Sequence, residues 1–566
     1  MKKRKEKPKV WVDTARVEIR RALAAVPPNF ERIARSDIEV LIRTQVGFPP
    51  FDEPDGWSAV TISPYLSAVR QCVEQYMFEL VQSHPPAEWL WFLRRVPDEA
   101  FAGSLPTTFG YKAGLADVAS GLSTLEAEPI PLSSQAICFD INDSVVRRLV
   151  RFLTGVSFLF GIHVRLRFAG KGATFQKPLG NGVIPQYHVT SAMREAIELY
   201  DMRVARSQTS LGRAGTEISA KSADTNSMMV VHRTMPPRYI ETPVGQDVVF
   251  VETRFVPKFV LLDALQRINS DLQLAAPGIW PPEVVALATL LRGGFEILAS
   301  TRNAPANVLN VGYVTMQEEL FHQSLANCWN DTLSWQQNVF PRSQPIRDTT
   351  ELLRRLKTLR GSFWPLQFGP VIRDFEDGIC LDLNAATNLL EALLEFPAQQ
   401  GTVANIRSRH FELAVQDSIN ASQWKPSQDL LRMRGVGLRR EGQDFTDIDA
   451  LGVREDTLLL VSCKSVIYSK GYDAGDYRFI RNIASLARDS VERWSEVMRI
   501  IIEHPSGDNY NFTEFTRVIG VVCVPHVIYV PLGDCTELVS RDLPALVSLE
   551  ELRAWLSSRS QNAPNS

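Results

Sequence analysis

The stretch TDIDALGVREDTLLLVSCKS, Thr446–Ser465, decides how this chain reads. Two apolar runs flank a charged turn at Arg454, Glu455 and Asp456, the pattern of a β-hairpin. Alternate residues of a strand share a face, so Asp447 and Asp449 are expected to point the same way from the first strand. Ser462 and Lys464 are expected together on the second, with Cys463 turned to the apolar core. The hairpin then brings Asp449 and Lys464 close on one face. Alone, each reads more readily as an ordinary charge at a strand end than as a functional group.

Working outward, RSRHFELAVQDSI (residues 407–419) carries Phe411, Leu413, Ala414, Val415 and Ile419, which suits a helix with Glu412 on one side. Gly435, Gly437 and Gly442 then mark a loop and turn region containing Arg432, Arg434, Arg439 and Arg440. These arginines suit a phosphate-contacting rim or a solvated loop about equally. A long helix is predicted over Tyr477–Glu503, with Arg478, Arg481 and Arg488 on one face, followed by the buried-type strand RVIGVVCVP. The order is helix, hairpin, helix, strand.

This set has a chemical logic. Attack on a phosphodiester gathers negative charge on the non-bridging oxygens, and a divalent cation held by carboxylates polarises the phosphate and delivers hydroxide. A neighbouring ammonium orients the water or stabilises the developing charge. Glu412, Asp449 and Lys464 are the residue types this chemistry needs.

The same residues resemble the core of the PD-(D/E)XK nuclease superfamily, nearest in texture to Mrr-type restriction endonucleases and nuclease-related domains. The resemblance implies a restriction-endonuclease-like α/β/α core in residues 401–566, less than a third of the chain. It also implies a Mg2+- or Mn2+-dependent DNA endonuclease, with restriction or phage defence as the setting. Carried over position by position, Glu412 matches the first-helix glutamate, Asp449 the metal-binding aspartate with Asp447 as its alternative, and Lys464 the catalytic lysine. The backbone carbonyl of Cys463 becomes a further metal ligand. One position departs: Ser462 stands where the family carries Glu, Asp or Gln, leaving an active enzyme with Ser462 as a weak auxiliary and a degenerate DNA-binding or scaffold module both open. RNA as substrate also stays open.

The remainder bounds the answer without naming a function. At 566 residues and net charge −3, the chain is expected to hold several domains and shows no overall basic field. Its seven cysteines form no CxxC pair and its eight histidines no HExxH, so zinc chemistry has no support and reduced thiols in a cytoplasmic protein are expected. The longest apolar run, near Phe152–Gly161, is too short to cross a bilayer, so no membrane is expected. The basic start MKKRKEKPKV reads as a solvated tail or a nucleic-acid-touching arm.

Residues 1–125 read as a mostly helical region and 126–400 as α+β, together a larger α-rich α+β region whose ligand is not legible. AICFDI, HVRLRFAG and DVVFVETRFV are predicted strands, Ser207–Ser227 a mobile loop, and 397–401 a joint. GKGATF near Gly170 lacks the frame of a phosphate loop, so any ATPase must come from a protein partner. A homo-oligomer is compatible with the resemblance.

Overall fold

Buried apolar side chains gather into three bodies of core along the chain. They are seen in a computed structural model that describes residues 10–558, leaving aside 50–56, 102–105, 124–138, 179–181, 213–215, 218–226, 245–246, 263–279, 302–303, 360–369, 376–377, 396–403, 467–474 and 476. The class is mixed α/β. The basic N-terminal tail, the joint at 397–401 and the first half of AICFDI lie outside the described residues; its second half, Phe139–Ile141, is irregular chain leading into a helix and not the predicted strand.

The first core is drawn mainly from Ile19 to Val183, across the boundary expected near 125, and takes in Val311, Tyr313 and Cys380. Its centre is a pair of helices, α1 (Ala59–Val81) and α2 (Asp143–Gly170). A side chain at Gly155 would overlap Met77 Sδ, so glycine is what allows this close approach. Helix α2 begins at Asn142, whose side chain accepts the Val145 N–H at 3.1 Å. HVRLRFAG, predicted as a strand, is instead its last two turns. Ile162, His163, Leu166 and Ala169 are buried at helical spacing, and no breaker separates them from the apolar run before them. An 18-residue window of α2, with mean hydropathy 1.5, is apolar enough to cross a membrane, which the uninterrupted run alone did not reveal; 56% of it is buried within the protein.

Helix α3 (Ser191–Gly212) takes up the first residues of the predicted mobile loop, and the rest of that loop lies largely outside the described residues. The second core is built on the long hairpin of β1 (Met228–Val244) and β2 (Asp247–Val260), the latter including the predicted DVVFVETRFV, with helices drawn from residues 282–395. A buried ionic network joins it to the first core: Arg94 donates to Asp117 at 3.1 Å and to Asp382 at 2.9 Å, and Arg373 shares Asp382.

The third body contains α4 (Ala404–Asn420), β3 (Gly437–Arg440), β4 (Gln443–Asp447), β5 (Ala450–Arg454), β6 (Thr457–Cys463), α5 (Tyr477–Glu503), β7 (Arg517–Val524), β8 (Leu546–Ser548) and α6 (Leu549–Ser558). A four-stranded sheet runs β5-β6-β7-β8, with β5 antiparallel to β6 and the others parallel. Parallel β6 and β7 need a crossover, which α5 supplies. Alternation along β6 then splits the core: Leu458 and Leu460 face α5, while Leu459, Val461 and Cys463 face α4 and α6. Helices therefore cover both faces of the sheet.

The hairpin at Arg454–Asp456 forms as expected, with Glu455 in the left-handed region at φ 56°. The first predicted strand does not survive whole. Gln443–Asp447 pairs with β3 in a separate two-stranded sheet, and the chain bends at Asp449 before β5 starts at Ala450. Asp447 and Asp449 consequently do not share one strand face. Period-two alternation reads straight through a bend and cannot show where a strand changes sheet.

Candidate functional site

The bend places Asp449 one step before β5, across from the end of β6. Its Oδ2 accepts the Cys463 N–H at 2.6 Å and lies 3.4 Å from Ser462 Oγ, which donates to it. Asp449 thus replaces the next rung of the β5–β6 ladder with a side chain. In an extended residue the N–H and C=O project to the same strand edge, so the Cys463 carbonyl also faces the Asp449 side. The Cys463 thiol packs among apolar neighbours beside Cys523, and burial pushes it well above the usual thiol range, as an inert core cysteine should be.

Lys464 lies just past the strand, its N–H donating to the Cys523 carbonyl at 2.8 Å as β6 leaves β7. Its ammonium charge acts on both Asp449 and Glu412. Ser462 is buried, tied to Asp449, and brings no charge of its own.

Glu412 reaches this place through a residue the sequence reading missed. Gln416, one turn further along α4 and fully buried, pairs with both backbone groups of Leu451: Oε1 accepts the N–H at 3.1 Å and Nε2 donates to the C=O at 3.2 Å. Strand β5 is the edge of the sheet, and Gln416 satisfies polar groups that would otherwise be left without partners. This pins α4 in register two residues from Asp449 and sets Glu412, at i−4 on the same helix face, beside it. The signal in the sequence was the four-residue spacing of Glu412 and Gln416.

Electrostatics bind the group together. Burial, then the charge of Asp449, raise the Glu412 carboxyl above its ordinary value, with Arg434 and Lys464 opposing. Asp449 is raised by burial first and by Asp447, against the stabilising Cys463 N–H and Lys464. Asp447 itself is exposed at the end of β4.

The arginines do not form one rim. Arg432 pairs with Asp429 at 3.4 Å, Arg439 with Asp444 at 2.6 Å and Arg440 with Glu441 at 3.2 Å, each within its own loop or hairpin. Arg434 differs: its Nε donates to the Asp449 carbonyl at 3.1 Å. Helix α5 returns the chain from the end of β6 to the start of β7, so its first turns, with Arg478 and Arg481, lie at the same end of the sheet as Lys464. Arg481 sits over the Tyr477 ring at 5.9 Å; Arg488 is two turns further on, away from that end.

A hard divalent cation suits this place in donor type and in charge. The donors are oxygens, and two carboxyls held above their usual range carry negative charge that a cation would relieve. Among the described residues, no group of three or more His, Cys, Asp or Glu side chains is set to hold a metal ion. Compared with family models, curated proteins and solved structures, the chain shows no match to any.

Proposed function

We propose that the C-terminal unit is a metal-dependent nuclease of the PD-(D/E)XK type with a restriction-endonuclease-like core, acting on DNA. Restriction or phage defence is its setting, and residues 1–400 recognise a target or partner. The observation that carries the reading is the placement of Asp449 against the end of β6, with the charges of Glu412 and Lys464 acting at the same point.

Asp449 and Glu412 would hold Mg2+ or Mn2+, with the Cys463 carbonyl as a further oxygen donor. Such an ion supplies Lewis-acid polarisation of the phosphate and a nucleophilic hydroxide. The chain's own part is positional. Cys463 N–H and Ser462 Oγ fix one oxygen of Asp449, leaving the other free to ligate. Gln416 fixes Glu412, and Lys464 brings an ammonium that orients water or offsets charge on the phosphate. Arg478 and Arg481, at the same sheet end, suit contact with the nucleic-acid backbone.

A second reading has its own observation. Ser462 supplies no third carboxylate, and the described acids form no three-ligand cage, which favours a degenerate fold used for DNA binding or assembly. Purified full-length protein incubated with plasmid and Mg2+ or Mn2+ separates the two. Cutting that falls about 10²–10³-fold in Lys464→Ala supports the nuclease. Binding without cutting supports the degenerate module, and cutting of RNA alone moves the substrate class.

A further inference from the structure

Arg434 is held unlike every other arginine of the loop before β4. Its Nε donates to the carbonyl of Asp449, and its charge acts on Glu412, while the guanidinium makes no carboxylate pair among the described residues. The bend carrying Asp449 does not depend on that side chain alone. Gly435 N–H donates to the Ile448 carbonyl at 2.9 Å, and Arg434 and Ile448 form a parallel β-bridge through their backbones. Gly435, at φ 69°, supplies the turn that makes this contact. Backbone groups fasten the strap to the bend; the arginine side chain adds a fixed positive charge at the Asp449 backbone that acts on the Glu412 carboxylate.

We propose that Arg434 is the built-in counter-charge of the acidic site, setting how tightly it takes a divalent cation. The inference rests on reading Asp449 and Glu412 as cation ligands. A fixed positive charge near a bound cation repels it, while in the cation's absence it offsets the charge of Glu412 and helps keep the bend in place. Arg434 therefore trades cation affinity for a site that stays assembled when empty. A structural brace would act in the opposite direction, since its loss would scatter the ligands and weaken binding.

The experiment is Mn2+ titration of the full chain by calorimetry, with thermal melts to verify folding, on wild type, Arg434→Gln, Arg434→Lys and Asp449→Asn. The expected result is wild-type binding lost in Asp449→Asn, roughly threefold to tenfold tighter in Arg434→Gln, and near wild type in Arg434→Lys, which keeps the charge. Unchanged or weaker binding in Arg434→Gln overturns the counter-charge while leaving the cation site standing. No binding by wild type at millimolar Mn2+, or undiminished binding by Asp449→Asn, removes the cation site itself and this inference with it.

Discussion

The side-chain amide of Gln416 lies flat against the backbone of Leu451, accepting from its N–H at 3.1 Å and donating to its carbonyl at 3.2 Å. One buried residue thereby covers the edge of the sheet at Leu451 and sets where Glu412 stands. Gln416→Ala leaves two backbone groups of β5 without partners, at a cost of about 1–3 kcal/mol each. Chemical denaturation should show that loss, and Mn2+ affinity should fall with it. Unaltered stability would mean α4 is placed by its apolar face alone.

The carboxyls of Glu412 and Asp449 are both raised, burial being the first cause. The folded protein keeps these protons to higher pH than the unfolded chain does. Their contribution to stability is therefore complete below the unfolded carboxylate range, near pH 4, and is lost as pH rises through the higher folded values. Glu412→Gln is expected to melt with wild type in acid and above it at neutral pH. Added Mg2+ should narrow the neutral-pH gap by stabilising wild type. A gap of constant size from pH 4 to pH 7 would contradict the raised carboxyl.

On the proposed nuclease reading, Ser462 occupies the place that most bears on activity. Ser462→Asp adds a carboxylate beside Asp449, and Mn2+ should bind about tenfold tighter or more. Without metal the same variant should be less stable at neutral pH, because a third acid joins a half-buried pair. Titration with paired melts checks both, and weaker cation binding would place the Ser462 side chain outside the site.

Arg203 of α3 grips Glu551 of α6 with Nε and Nη2 at 2.7 and 2.9 Å and reaches the Leu546 carbonyl at 2.9 Å. Although burial pushes the Glu551 carboxyl up, bonds from Arg203 and Ser548 outweigh it and hold it below its ordinary value. This stabilisation is present above the unfolded carboxylate range and is lost as pH falls through the depressed folded value. Arg203→Ala leaves a buried carboxylate unpaired, at a cost of about 3–5 kcal/mol. Hydrogen exchange should show α3 and α6 loosening together, and protection confined to either helix would argue against the link.

Much of the C-terminal unit was legible because local pattern and tertiary role agree there. The charged turn at Arg454–Asp456, the apolar alternation of Leu458–Cys463 and the long amphipathic period of Tyr477–Glu503 each name one element, and each is that element in the structure. HVRLRFAG misled because Val164, Leu166 and Phe168 alternate with Arg165 and Arg167, a period-two pattern too short to be told from part of a helix. The bend at Asp449 left no trace because it changes the strand's partner without changing its residues.

Local pattern alone was enough to bring an acid, a serine and a lysine to the end of β6. Strand spacing is rigid, so residues a few positions apart have fixed relative directions. Only the tertiary structure decided that Asp447 and Asp449 part company, that Gln416 sets Glu412 in place, and that Arg434 alone among its neighbours turns to the acids. Those choices depend on contacts between segments 15 to 35 residues apart, whose hydrogen bonds are settled by packing and not by local pattern.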